Sequence, residues 1–255
     1  MIDRRDVVAE IARRPERAGV FLDVDGTLAP IVAKPELARV IPEIPPILAR
    51  LAERLAVVAV ISGRPSDQVR ELVDIDGVLV VGTHGLEDEP PIDPTVLDDI
   101  RKVAATVGAW VEPKGAAAAV HFRGVEDPLA AATAAEPALA AVAAANGLEV
   151  LGGKRILEIT PAGLRRKGGA VERIANQGRL EVVVFAGDDV GDLDAFEALG
   201  RLRATGAWTC GIASQGSETA SAVVDAADLV VPGPPGILEL LDEIADAVES
   251  RDAGP

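Results

Sequence analysis

The sequence predicts an α/β fold, a doubly wound parallel sheet into which a smaller α+β domain is inserted. Three observations carry this. Apolar runs over 19–22, 55–61 and 181–186 each end in polar residues: Asp23, then Ser62-Gly63-Arg64, then Gly187-Asp188-Asp189. The latter two runs are rich in valine and do not alternate, as expected of parallel strands buried on both faces. Helical patterns over 44–54, 66–73, 169–177 and 190–199 separate them, and strand–helix alternation implies a doubly wound sheet. Ligands of such sheets bind beyond the carboxyl ends of the strands. All three runs place their polar residues there.

The elements follow in chain order. Arg4, Arg5, Arg13 and Arg14 alternate with acids near the start, a pattern that reads as a solvated helix face. In the first strand, the two-residue spacing of Asp23 and Asp25 starts both carboxylates on one side. Gly26 then permits a sharp turn, because it has no Cβ to clash at positive φ. Two acids at the tip of a buried strand are costly unless paired or bound to metal. That cost points to chemistry: one carboxylate as nucleophile and Mg²⁺ ligand, the other as proton donor.

The middle of the chain differs. It reads as a helix over 94–109, a strand over 116–122, an alanine-rich helix over 127–145 and strands over 148–151 and 155–159. Pro137 is expected to kink or split the alanine-rich helix. The run Ala117-Ala118-Ala119 is so small-chained that a helix must lie close over it or its face must be narrow. Glu87-Asp88-Glu89-Pro90-Pro91 marks the way out and Thr160-Pro161-Ala162-Gly163 the way back. Residues 1–86 and 161–255 therefore form the core and 87–160 the insertion. Strands over 208–212 and 229–231 and a helix over 236–249 complete the core, and 250–255 is expected to be disordered. No internal repeat is apparent.

Composition excludes several function classes. The 255 residues are 49% apolar and carry a net charge of −16. General nucleic-acid binding needs basic surface to neutralise phosphates and is disfavoured. The same charge repels a phosphorylated ligand only within the ~8 Å screening length of physiological salt. Anion capture must then rest on local devices: a metal, a few cations and helix N-termini. Cys210 is the only cysteine, so no intrachain disulfide can form. The start has no apolar leader, and no run approaches the ~20 apolar residues of a membrane span. These features predict a soluble, cytoplasmic monomer acting on a small molecule, without a nucleic-acid or membrane partner.

The chemistry-bearing residues are Asp23, Asp25, Ser62, Lys167, Asp188 and Asp189, with Asp192 close by. A carboxylate can attack phosphorus to give an aspartyl phosphate. Mg²⁺ prefers carboxylate and carbonyl oxygens, and Asp23 and Asp188 on two strand ends could hold it. Ser62 can donate to a phosphate oxygen, and Lys167 offers a point charge just before a helix. Plainer roles compete: a strand-to-helix turn at Ser62-Gly63, and helix capping over 188–192. His84 and His121 read as satisfying hydrogen bonds, and Trp110, Trp208 and Cys210 as packing residues. Neither the P-loop pattern nor a Gly-x-Gly-x-x-Gly after the first strand occurs.

Asp23-Val24-Asp25-Gly26-Thr27, Ser62-Gly63-Arg64, Lys167-Gly168 and Gly187-Asp188-Asp189, in this order, resemble the haloacid dehalogenase superfamily of phosphatases. The resemblance implies a Rossmann-like core and a cap of the second type. It makes Asp23 the nucleophile and Asp25 the general acid and base. It places Mg²⁺ on Asp23, the Asp25 carbonyl, Asp188 and Asp189. It places Thr27, Ser62, Gly63, Arg64 and Lys167 toward the substrate phosphate. Further segments fall in the order of trehalose-6-phosphate phosphatases: Gly82-Thr83-His84-Gly85-Leu86-Glu87, Glu112-Pro113-Lys114-Gly115, Val120-His121-Phe122-Arg123 and Gly153-Lys154-Arg155-Ile156-Leu157-Glu158-Ile159. This similarity implies sugar contacts by Glu112, Lys114, Arg123 and Glu158, and cap closure that excludes bulk water. One departure is visible: Gly191 stands where that family usually has Thr. Arg165 and Arg166 also make the Lys167 loop more basic than the family needs. Two alternatives stay open. One is another phosphosugar, such as sucrose 6-phosphate or glucosyl-3-phosphoglycerate. The other is a phosphosugar-binding regulator without turnover.

Overall fold

The structure is a computed structural model that describes residues 2–32, 35–88, 90–152, 156–162 and 166–252. The chain divides into two compact units, Met1–Gly85 with Arg165–Pro255, and Leu86–Leu164.

The first unit contains α1 (Arg4–Arg13), β1 (Ala18–Leu22), α2 (Ile44–Ala52), β2 (Val57–Ile61), α3 (Ser66–Leu72) and β3 (Val78–Val81). After the second unit it resumes with what are numbered below α6 (Arg166–Gln177), β8 (Val182–Gly187), α7 (Leu193–Ala204), β9 (Trp208–Ser214), α8 (Ser221–Ala226), β10 (Leu229–Val231) and α9 (Gly233–Asp252). Its six strands are parallel, in the order β10-β9-β8-β1-β2-β3. From β1 the chain winds outward to β2 and β3, and later from β8 to β9 and β10 on the other side. The order therefore reverses between β1 and β8, the kind of switch point where such sheets bind ligands. Val20 and Leu22 of β1 join α1, α2 and α9 in one core, and Phe21 joins α6 and α7 in the other. Burial on both faces is why these strands read as unbroken apolar runs.

The second unit contains α4 (Pro94–Thr106), β4 (Trp110–Lys114), β5 (Ala117–His121), α5 (Pro128–Ala145), β6 (Leu148–Gly152) and β7 (Ile156–Pro161). Its antiparallel sheet has the order β4-β5-β7-β6. Val120, Leu157 and Ile159 pack against Ile100 and Ala104 of α4 and Ala132, Ala135 and Leu139 of α5. The alternate residues of β4, β5 and β7 belong to the opposite face.

Several sequence expectations need correction. Pro137 does not split the alanine-rich helix: α5 runs unbroken over 18 residues. Pro137 is exposed, as is Thr133 one turn earlier, whose carbonyl loses its helical donor. The same helix is long and apolar enough (mean hydropathy 1.3) to pass a length-and-composition test for a membrane span. Here Ala132, Ala135, Leu139 and Ala143 face the unit's own core, and 22% of the helix is buried. The final helix continues through Asp252, past the point where disorder was expected; residues 253–255 lie outside the described residues. Residues 190–192 form a 3₁₀ turn rather than the first turn of α7. Trp110 is not packed away but half exposed.

Candidate active site

Each strand around the switch point delivers one part of the site. β1 ends at Leu22, opposite Ala186 of β8, and the Asp23 amide continues the ladder by donating to the Ala186 carbonyl at 2.9 Å. Asp23 thus stands at the centre of the sheet's carboxyl edge, with Asp188 just beyond β8 and Ser62 just beyond β2. Gly26 follows with φ +78°, and a Cβ there would come within 2.0 Å of an Asp188 carboxylate oxygen. The glycine therefore serves both the turn and the approach of Asp188 to the Asp23 loop. Ser214 Oγ pins this loop by donating to the Gly26 carbonyl at 2.7 Å.

Lys167, in the first turn of α6, is almost fully buried. Its Nζ donates to Asp23 Oδ1 and Asp192 Oδ1, both at 2.6 Å. Asp192 Oδ2 accepts from the Asp188 and Asp189 amides at 2.9 and 3.0 Å. Asp192 thereby couples the lysine to the backbone that carries Asp188. Gly168 keeps α6 close to α7: its amide donates to Asp194 Oδ2 at 3.0 Å, and a Cβ would lie 2.3 Å from the Asp194 carbonyl oxygen.

Asp25 takes a different partner from Asp23. Arg64 Nε donates to one of its oxygens at 2.6 Å and an Arg64 terminal nitrogen to the other at 2.7 Å. Planar forks of this kind fix a carboxylate's orientation as well as its charge. Ser62 Oγ accepts from the Arg64 amide at 3.2 Å. A cavity of about 630 Å³ is lined by Asp23, Asp25, Ser62, Gly63, Arg64, Lys167, Asp188 and Asp189, a size suited to a small molecule. Gln68 and Glu218 also line it; neither stands in a motif that marked it beforehand. Thr27 is not on its walls. It is fully buried, and its hydroxyl has no partner among the described residues.

Carboxylate oxygens of Asp23, Asp188 and Asp192 lie within 4.8 Å of one another. Three buried carboxylates share one ammonium, which leaves about two negative charges to be balanced. An oxygen donor set with that excess suits a hard divalent cation such as Mg²⁺. Asp192 has its oxygens committed to Lys167 and the backbone, so Asp23 and Asp188 are the better placed ligands. Asp189 is exposed and caps the 3₁₀ turn, accepting from the Val190 amide at 2.7 Å. A Cβ on Gly191 would meet nothing closer than 3.8 Å, so this position has room for a larger side chain.

Burial raises the Asp23 pKa from 3.8 to about 7; the Asp192 charge adds to this and Lys167 opposes it. Asp188 is likewise pushed up to about 7, by burial first and then by Asp23, Asp192 and Asp189. Burial alone would lower Lys167, but Asp23 and Asp192 outweigh it and hold the ammonium above its ordinary value. A carboxyl whose folded pKa is raised keeps its proton where the unfolded chain has lost it. Its contribution is therefore most favourable below the unfolded value of about 4 and is lost as pH rises toward about 7. In EDTA, Tm is expected to be lower at about pH 8 than at about pH 5.5, and added Mg²⁺ to raise it more at the higher pH. Equal Mg²⁺ gains at both pH values in a thermal-shift assay would contradict this electrostatic picture.

In the second unit, Glu112 and Lys114 lie on the edge strand β4. Glu112 pairs with Ala119 of β5, which pairs in turn with Glu158 of β7. Glu112, Lys114 and Glu158 thus share one face of the sheet. Glu112 Oε2 is 2.8 Å from His121 Nε2 and 3.7 Å from Lys114 Nζ. The His121 hydrogen bond holds Glu112 below its ordinary pKa; burial opposes this, and the Lys114 charge adds to the lowering. Arg123 is exposed in the turn after β5. Lys154, Arg155 and Arg165, with the side chains of His84 and Arg166, lie outside the described residues.

The sequence matches the profile of a family described as trehalose-phosphatase over residues 21–94 and 97–228. It is 35% identical over 209 residues to an uncharacterised glycosyl hydrolase of Mycobacterium tuberculosis, covering 72% of this chain and 15% of that protein. It is 31% identical over 210 residues to probable trehalose-phosphate phosphatase 4 of Oryza sativa subsp. japonica, covering 73% and 56%. The chain thus spans about half, or much less, of the length of these relatives. Its fold is similar to that of Aspergillus fumigatus trehalose-6-phosphate phosphatase, with a TM-score of 0.77 and 23% identity over 96% of this chain and 98% of that one. With the match to the family profile covering both stretches that bear the site motifs, the chain belongs to the trehalose-phosphatase family.

Proposed function

We propose that this chain is a Mg²⁺-dependent phosphatase that converts trehalose 6-phosphate to trehalose and phosphate through an aspartyl phosphate, the last step of trehalose synthesis. The observation that carries the reading is the buried Asp23, 2.6 Å from the Lys167 ammonium and clustered with Asp188 at the switch point, in a chain of this family.

Lys167 and Asp192 orient Asp23 so that its free carboxylate oxygen can attack phosphorus in line. Lys167 also neutralises charge on the phosphoryl oxygens as the sugar oxygen is displaced. Bound Mg²⁺, held by Asp23, Asp188 and the Asp25 carbonyl, would supply further neutralisation of that charge. The Ser62 hydroxyl hydrogen donates to a phosphoryl oxygen while its oxygen keeps the Arg64 amide. An arriving phosphoryl group competes with Asp25 for the Arg64 guanidinium. Asp25 so released takes up a proton from solvent and gives it to the leaving sugar oxygen, then takes one from the water that cleaves the acyl phosphate. Glu112, Lys114, Arg123 and Glu158 select the sugar through charge-assisted hydrogen bonds to its hydroxyls.

A substrate panel tests the specificity. kcat/KM for trehalose 6-phosphate is expected to exceed that for sucrose 6-phosphate or glucosyl-3-phosphoglycerate by about 100-fold or more. A preference for either of the others would reassign the substrate. Binding of trehalose 6-phosphate without turnover would replace the enzyme by a regulator.

A further inference from the structure

Phosphoryl transfer leaves one feature of the second unit without a task. Trp110 and His121 are directly paired across the β4–β5 ladder, and their rings are stacked, with centroids 4.0 Å apart and planes 7° from parallel. His121 is mostly buried, whereas Trp110 is 52% exposed. The apolar core of this unit is built by α4, α5, β5 and β7, so core packing does not account for the indole.

Its neighbours suggest what does. Strand alternation puts Trp110 on the same face of β4 as Glu112 and Lys114. The nitrogen of the stacked His121 ring holds Glu112 at 2.8 Å, and Lys114 flanks the same oxygen at 3.7 Å. A flat apolar plate therefore stands beside a carboxylate fixed in place. A hexopyranose presents matching chemistry: axial C–H bonds make one side of the ring apolar, and hydroxyls at the rim offer donors to a carboxylate. Aromatic surface combined with a few placed polar groups is the usual make-up of a small-molecule site.

We propose that Trp110 is a specificity-determining residue: one hexopyranosyl ring of the substrate stacks on the indole while Glu112 takes its hydroxyls. The proposal rests on the phosphosugar reading above and adds the side chain that receives the apolar side of the sugar.

The full chain is titrated with trehalose, which carries no phosphate to hydrolyse, while tryptophan emission is followed. A saturable change is expected in the parent, with a different end-point in Trp110→Leu. For trehalose 6-phosphate, Trp110→Leu is expected to lose about tenfold or more in kcat/KM, mostly through KM, and Trp110→Phe to recover most of it. Both variants should remain within about twofold of the parent on p-nitrophenyl phosphate. Trp110→Leu within about twofold of the parent on trehalose 6-phosphate would overturn the platform and leave the phosphatase intact. If the parent hydrolyses no phosphosugar, the activity reading fails instead. The platform is then decided by calorimetric titration with unphosphorylated glucosides: saturable binding in the parent that weakens about tenfold or more in Trp110→Leu upholds it, and equal binding by the two proteins, or none by the parent, overturns it.

Discussion

Asp23→Asn is expected to lower kcat by at least about 10⁴-fold with the fold intact, the scale seen when a covalent nucleophile is removed. The amide keeps the shape of the carboxylate but cannot attack phosphorus. Lys167 keeps Asp192 as a partner at 2.6 Å. One negative charge leaves a buried cluster in which Asp23 raises the cost of ionising Asp188, so metal-free stability at neutral pH should hold or rise. Asp25→Asn is expected to be milder, about 10²- to 10⁴-fold in kcat as for a general acid, with substrate binding retained. Steady-state kinetics on both variants, with circular dichroism for folding, check these expectations. Turnover by Asp23→Asn near that of the parent would remove Asp23 from its role.

Alanine at Glu112, Lys114 or Glu158 is the second large effect. A hydrogen bond to a charged group contributes about 1.5–3 kcal/mol, so each variant should lose roughly 10- to 150-fold in kcat/KM on trehalose 6-phosphate. p-Nitrophenyl phosphate lacks the sugar and should change by less than about threefold. Glu112→Ala also strands its partners, because His121 and Lys114 both address the same carboxylate oxygen. It is therefore expected to cost the most of the three. Equal losses on both substrates would assign these residues to structure rather than to sugar recognition.

The parts of this molecule that were legible in the sequence share a physical cause. β1, β2 and β8 lie inside the sheet, so burial on both faces wrote them as apolar runs. The same topology forces Asp23, Ser62 and Asp188 to one edge. What escaped detection lies at edges. β3 is a four-residue outer strand with only one buried position. β4 carries Pro113, Glu112 and Lys114, which depress strand propensity but are tolerated where one side of the backbone is unpaired. Side-chain pairing was less legible still. Asp23 and Asp25 read as two acids on one side, yet one pairs with Lys167 and the other with Arg64. Asp192 read as a helix-start residue; it does hold the backbone there, but it also anchors Lys167. No local pattern reports that second role, since Lys167 and Asp192 meet only when α6 and α7 pack.

Phosphate release from trehalose 6-phosphate, followed with Mg²⁺ present and again after EDTA, bears most directly on the proposed activity. Rapid release that EDTA abolishes and added Mg²⁺ restores is the expected result. No release in Mg²⁺, or release at the same rate in EDTA, would contradict the assignment of Asp23, Asp188 and Lys167 to metal-assisted phosphoryl transfer.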